Sequence, residues 1–223
     1  AEKWSHNTMV EVIWTTIPVL ILITLAWLAT GGLTSWADTT GSQMTVKVTG
    51  YQWKWRYDYV EYQGKPIDKV GFMSKLDTLS DQTRQLDSGM DPYAVKTGDE
   101  NTYLLNVDKP LVVPVDTKIR FVITSGDVIH SWWVPATGWK IDAIPGIVNS
   151  AWANFTTPGT YRGQCAELCG QDHGFMPIVV GVKSKADFAT WLAAQEAASS
   201  APAAAPDTAQ VAAPAPVSAG GQG

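Results

Sequence analysis

Hydrophobic and polar positions change rhythm along the chain. From Val12 to Ala37, in VIWTTIPVLILITLAWLATGGLTSWA, there is no charged residue. Those 26 residues would form a helix of roughly 39 Å at about 1.5 Å per residue, against a hydrocarbon core of about 30 Å. The run is therefore predicted to cross a membrane. Trp14 and Trp36 lie near its two ends, where interfacial aromatic rings belong. Pro18 falls in the first turns, and Gly31 and Gly32 are expected to loosen the exit. A cleavable signal sequence would have only about 7–15 apolar residues after a basic start. Here the run is longer and follows Glu2, Lys3 and Glu11. Lys3 puts residues 1–11 on the cytoplasmic side and the chain beyond Asp38 outside.

After the anchor the period shortens to two. In TVKVTGYQWKWRYDYVEY (45–62), Trp53, Trp55, Tyr57 and Tyr59 fall on one face, as in a half-buried strand. TYLLNV, LVVPV, KIRFVITS, HSWWVP, SAWANFTT, TYRGQC and PIVVGVK follow, punctuated by Gly, Pro, Asp or Asn. This many short strands predicts an all-β sandwich or barrel with Greek-key connections. The polar residues 64–102 read as an insertion with a short helix. SKADFATWLAAQEAA (184–198) reads as a helix capped by Ser184, with Asp187 at the capping-box position. From Ser199 to Gly223 the chain is rich in Ala, Pro and Gly and is expected to be disordered. The predicted organisation is an anchor over 1–37, a β domain over 38–198 and a tail over 199–223.

Net charge of −5 argues against a nucleic-acid surface and suits a basic protein partner. The 2 cysteines are too few for a disulfide framework. Both lie in GQCAELCGQDHGFMP (163–177), with one of the 3 histidines and a methionine. Cys165 ends one predicted strand and Met176 precedes the next. Cys165, Cys169, His173 and Met176 therefore share one loop, with spacing C-x3-C-x3-H-x2-M. Thiolate, imidazole and thioether are soft donors that favour copper over calcium or magnesium. Thioether is a poor zinc ligand. A second histidine must come from elsewhere, and His130 in DVIHSWWVP is the candidate, because His6 lies across the anchor. A mononuclear blue-copper site uses one cysteine. The extra one fits two coppers bridged by two thiolates, with Met176 and a backbone carbonyl in weak positions. The competing readings are a membrane-tethered copper carrier, a mononuclear cupredoxin shuttle, and a metal-free interaction module closed by a Cys165–Cys169 disulfide. The last leaves His130, His173 and Met176 unexplained.

This loop, with a distant histidine on a β scaffold, resembles the binuclear copper domain of cytochrome c oxidase subunit II. YQWKWRYDY resembles that family's aromatic segment, DVIHSWWVPATGWKIDAIPG its first-histidine segment, and YRGQCAELCGQDHGFMPIVV its copper loop. VEVIWTTIPVLILI resembles its second transmembrane helix, and the likeness runs over roughly residues 10–195. The resemblance implies a cupredoxin-like fold for the β domain, and it implies that His130, Cys165, Cys169, His173 and Met176 bind copper. It implies that Glu167 offers its carbonyl to copper and its carboxylate to a magnesium ion shared with subunit I. Trp53 would receive the electron from cytochrome c, and Asp58, Glu61 and Asp127 would belong to an acidic docking face. Glu11 would stand at the mouth of a proton pathway in subunit I. Taken without the resemblance, Trp53 reads as packing and Asp58, Glu61, Asp127 and Glu11 as solvated charges, a reading less natural for Glu167 between two ligand cysteines.

The implied partners are subunit I, which holds the haem, other oxidase subunits, cytochrome c and membrane lipid. The implied location is a bacterial cytoplasmic or mitochondrial inner membrane, with the copper domain on the periplasmic or intermembrane side. The family has two transmembrane helices, so a first one is expected to be missing from this sequence. The related subunit II of quinol oxidases lacks the copper ligands, and nitrous oxide reductase lacks the anchor.

Overall fold

The computed structural model describes residues 5–67, 69–84 and 102–200. Helix α1 (Thr8–Ala37) begins one turn before the charge-free run. Asn7 caps it: its side chain accepts the Val10 N–H at 3.3 Å, and Glu11 accepts the Asn7 N–H at 3.0 Å. Gly31 and Gly32 do not loosen the exit, because the helix continues through both to Ala37. No α1 residue is buried by the rest of the chain. Such a helix, apolar on every side, needs lipid or partner helices around it. It is the only helix among the described residues long and apolar enough to cross a membrane. Thr24, Thr30 and Thr34 donate their hydroxyls to carbonyls one turn back, so these polar groups are satisfied within the helix.

The domain runs β1 (Met44–Tyr51), β2 (Lys54–Tyr62), β3 (Lys65–Pro66), β4 (Gly71–Ser74), α2 (Thr78–Thr83), β5 (Leu111–Pro114) and β6 (Ile119–Ser125). It continues β7 (His130–Trp133), β8 (Lys140–Ala143), β9 (Asn149–Ala153), β10 (Gly159–Cys165), β11 (Pro177–Lys183) and α3 (Lys185–Ser200). One sheet has the order β3-β2-β1-β6-β9, with β4 also on β2; the other is β5-β11-β10-β7-β8. β1 and β6 are parallel, as are β11 and β5, and the other pairings are antiparallel. This is the expected cupredoxin-like sandwich.

Several expectations are corrected. The stretch 45–62 is a hairpin rather than one strand, turning at Gln52 and Trp53. Trp55, Tyr57 and Tyr59 do share a buried face, but Trp53 leaves it for the turn. TYLLNV forms no strand; Leu104 has φ 61°, which a strand cannot accommodate, and only Val107 makes a bridge, to Leu76. Part of the insertion belongs to the sheet, since β3 and β4 pair with β2. Residues 85–101 of the insertion lie outside the described residues. α3 reaches Ser200, past the predicted tail boundary, and 201–223 lie outside the described residues.

Val46 and Val48 of β1, Trp55 and Tyr57 of β2, and Phe121 and Ile123 of β6 face Trp132, Ile178 and Val180 across the core, all buried. Burying each such side chain contributes about 1.5–3 kcal/mol relative to exposure. Tyr59 satisfies its hydroxyl deep inside, donating to the Val112 carbonyl at 2.8 Å and accepting the Val112 N–H at 3.0 Å. α3 closes one end, with Phe188 on Tyr62 and Trp191 on Tyr59. Ser184 caps α3 as predicted, accepting the Asp187 N–H at 3.1 Å.

Lys118 ties the anchor to the domain. Its Nζ donates to the carbonyls of Asp38 and Thr40 at 2.9 and 2.8 Å and lies 4.6 Å over the Trp152 ring. Trp152 in turn donates to the Ser35 carbonyl at 3.1 Å. From that joint β1 runs the length of the sheet, from Met44 beside Ile119 to Gly50 beside Ser125. The site lies at the Gly50 end.

Candidate metal centre

Three elements converge there. β10 ends on Cys165, whose N–H donates to the Met176 carbonyl at 3.0 Å and so closes the base of the 165–176 loop. β7 begins on His130, fully buried. The β1–β2 turn covers the loop: Gln52 donates Nε2 to the Cys169 carbonyl at 2.9 Å. Gly170 has φ 115° and lies against the Trp53 indole, which a Cβ there would meet at 3.2 Å.

The two sulfurs are 3.8 Å apart. His130 Nδ1 lies 3.9 Å from Cys165 Sγ, and His173 Nδ1 lies 3.6 Å from Cys169 Sγ. The Glu167 carbonyl is 3.5 Å from Cys165 Sγ. The ligand atoms of His130, Cys165 and Cys169 all lie within 4.8 Å of one another. Both cysteines are free and buried. Their separation is far above a disulfide's bond length of about 2 Å, yet short enough for both sulfurs to reach one ion at about 2.3 Å each. The thiolates and imidazoles therefore fit a soft metal. Met176 is fully buried next to this loop.

Burial pushes the Cys165 thiol up, but the His130 ring and backbone donors outweigh it and bring its pKa down to about 7. Burial and then the charge on Cys165 push Cys169 up to about 12. The metal-free pair thus holds one thiolate readily and the second with difficulty, and metal entry must displace a proton. Burial opposes charging of His130, and Cys165 and Asp127 reverse that, so its pKa is raised.

Asp127 carries the outer support. Its carboxylate lies 2.9 Å from His130 Nε2 and accepts the Gln52 N–H at 2.7 Å and the Val128 N–H at 2.6 Å. Nε2 is thereby engaged, leaving Nδ1 toward the sulfurs. Burial raises the Asp127 pKa, and the His130 and backbone donors overcome it, for a net lowering.

The other residues singled out in the sequence are placed as follows. Glu167 sits in the loop with its side chain exposed. Asp58 forms an ion pair with Arg56 at 2.8 Å. Glu61 stands near the far end of β2, opposite Thr45, whereas Asp127 lies at the Gln52–Trp53 turn, so the three carboxylates are not gathered in one place. Glu11 is in the first turn of α1. Sequence reasoning missed Gly50, on which a Cβ would lie 2.7 Å from His130 Cδ2, and it missed Gln52. The position of Asp127 three residues before a histidine was the one available signal for its supporting role.

Residues 44–183 match the family model for the periplasmic domain of cytochrome c oxidase subunit II, and residues 1–29 match that for its transmembrane domain. The "Probable cytochrome c oxidase subunit 2" of Rickettsia prowazekii (strain Madrid E) is 42% identical over 191 residues, covering 86% of this chain and 55% of the relative. Cytochrome c oxidase subunit 2 of Candida albicans is 39% identical over 192 residues, covering 86% and 67%. The chain spans about half the length of three of the Rickettsia relatives it matches. The crystal structure of the periplasmic domain of subunit II of cytochrome oxidase from Bradyrhizobium japonicum superposes with TM-score 0.56 at 36% identity, covering 72% of this chain and 99% of that one.

Proposed function

Because this chain belongs to the cytochrome c oxidase subunit II family, we propose that it is the electron-entry subunit of a terminal respiratory oxidase. In this reading single electrons enter from cytochrome c at a binuclear copper centre and leave for haem in subunit I, where oxygen is reduced to water and protons are pumped. The observation that carries it is the pair of sulfurs 3.8 Å apart with an imidazole nitrogen beside each. A mononuclear shuttle has no use for the second thiolate, and an exchange carrier would keep its ligands accessible.

Bound copper would supply one-electron acceptance and release. The chain does the rest. Cys165 and Cys169 would hold the copper through their thiolates and His130 and His173 through their imidazoles, with Met176 and the Glu167 carbonyl as the remaining donors. The sheet excludes water from His130. Trp53 lies against the loop at Gly170, next to Cys169, and is partly exposed, which supports its reading as the entry residue. The net charge of −5 favours a basic donor. Asp58, Glu61 and Asp127 are proposed to contribute to that attraction. The exposed Glu167 carboxylate would bind a magnesium ion shared with subunit I, and Glu11 would stand at the mouth of a proton pathway in that subunit. The anchor would place the β domain on the periplasmic side.

The test is copper content and electron spin resonance of the oxidised full chain in detergent. Two coppers per chain with hyperfine structure from one electron shared by two nuclei are expected. One copper with a single-nucleus pattern would favour the shuttle or carrier. Trp53→Phe is expected to leave that spectrum unchanged and slow reduction by cytochrome c; an unchanged rate would remove Trp53 from the path.

A further inference from the structure

The turn that carries His173 is gripped from outside its own loop. Asp172 opens the 173–175 turn, and the Phe175 N–H donates back to the Asp172 carbonyl at 2.9 Å. Arg84, just past α2, sets Nη1 2.9 Å from the Asp172 carboxylate and Cζ 4.9 Å from the centre of the Phe175 ring. Its Nε lies 3.2 Å from Asp81. One guanidinium thus holds both flanks of His173, by ion pair on one side and by stacking on the other. A planar fork can do both at once, and an ammonium cannot.

The support behind Arg84 is firm. Asp77 caps α2 by accepting the Ser80 N–H at 3.0 Å, and its own N–H donates to the Asn106 carbonyl at 3.2 Å. Leu76 bridges to Val107, and β4 pairs along β2. Arg84 and Asp172 are only 23% and 19% exposed, so solvent screens the pair partly. His173 needs such help, since it stands on a three-residue turn and is only half-buried.

We propose that Arg84 is a positioning residue that holds the His173 turn in its ligating shape before metal arrives. The inference rests on the reading that this loop binds copper, but its test reads the loop without any. It assigns the stretch from β4 through α2 to Arg84 a role in shaping the centre, with the contact made through a residue outside the ligand set.

The experiment is amide hydrogen exchange on the metal-free full chain in detergent. In Arg84→Gln and Asp172→Asn, exchange at the Phe175 amide should rise about tenfold, the size expected for a part-buried ion pair plus a cation–π contact. Amides of β5 and β11 should not change. Arg84→Lys should fall between wild type and Arg84→Gln. After copper loading, Arg84→Gln should release metal to a chelator about tenfold faster and alter the hyperfine pattern. Unchanged exchange at Phe175 in both variants would overturn the proposal, as would a rise shared equally by the sheets. A wild-type chain that takes up no copper would refute the copper reading, while the exchange rates would still decide the role of Arg84.

Discussion

His130 lies 3.9 Å from Cys165 and His173 lies 3.6 Å from Cys169, yet the two are held by different kinds of structure. His130 opens a strand in the second sheet and is wholly buried. Its ring is confined by Gly50 beneath, by the Trp55 ring at 5.9 Å and by Asp127 at Nε2. His173 stands on a short turn in the loop, half-buried, with side-chain clamps on the turn's flanks. One arm takes its precision from the core and the other from surface contacts. A site built this way can be rigid on one side while the loop side opens to admit metal.

The comparison breaks most completely at the residues both arms share. On the proposed reading, Cys165→Ser or Cys169→Ser takes away one of the two thiolates that would hold the coppers, so both variants should lose the binuclear centre, with copper falling from two to at most one per chain. Metal analysis with electron spin resonance checks this. A variant that retained two spin-coupled coppers would show that the two sulfurs are not the bridge.

The next largest effect separates the arms by one methyl group. In Gly50→Ala the new Cβ would lie 2.7 Å from His130 Cδ2, inside van der Waals contact, so the ring or strand β1 must move. The expected cost is about 1–3 kcal/mol in stability, with a changed copper spectrum. Gly174→Ala adjoins the other histidine, yet its Cβ meets nothing within 4 Å and should leave the spectrum and unfolding midpoint where they are. Denaturant unfolding and the copper spectrum of both variants test this pair. Equal effects would erase the difference between a core-built arm and a loop-built arm.

This asymmetry was only half legible in the sequence. The loop could be read because its four side-chain donors fall within twelve residues and between two strands, and His130 because geometry across a membrane excludes His6. The hairpin was hidden by a run of aromatics from Trp53 to Tyr59. Its signal was present all the same: the buried set switches from even positions, Val46 and Val48, to odd ones, Trp55, Tyr57 and Tyr59. A two-residue turn produces that switch, because paired residues such as Val48 and Tyr57 share a face. Gly50 was illegible because its constraint comes from a ring 80 positions away that the pairing of β1 with β6 brings over it. Arg84 was illegible for a different reason. It lies in a polar insertion where one more charge carries no pattern, and only the closed loop shows what it grips.

The smallest expected effect concerns the outer support of each arm. Asp127→Asn keeps one side-chain oxygen, with two lone pairs, but it removes the negative charge and replaces the second accepting oxygen by a donor. Asp127 now serves His130 Nε2, the Gln52 N–H and the Val128 N–H together, so the amide cannot satisfy all three. His130 itself should stay in place, since Gly50 and Trp55 still confine it. What changes is the basicity of the imidazole and the hold on the Trp53 turn through Gln52. Loss of such a carboxylate–histidine contact typically weakens metal binding by about 10–100-fold. Competition against a copper chelator on the full chain measures it, with Asp172→Asn as the matching change on the other arm. The core-built arm predicts that Asp127→Asn alters affinity while amide exchange in the 165–176 loop stays as in wild type, whereas Asp172→Asn alters both. If Asp127→Asn loosened the loop as much as Asp172→Asn does, His130 would be held by the same closure as His173, and the two arms would be one mechanical unit.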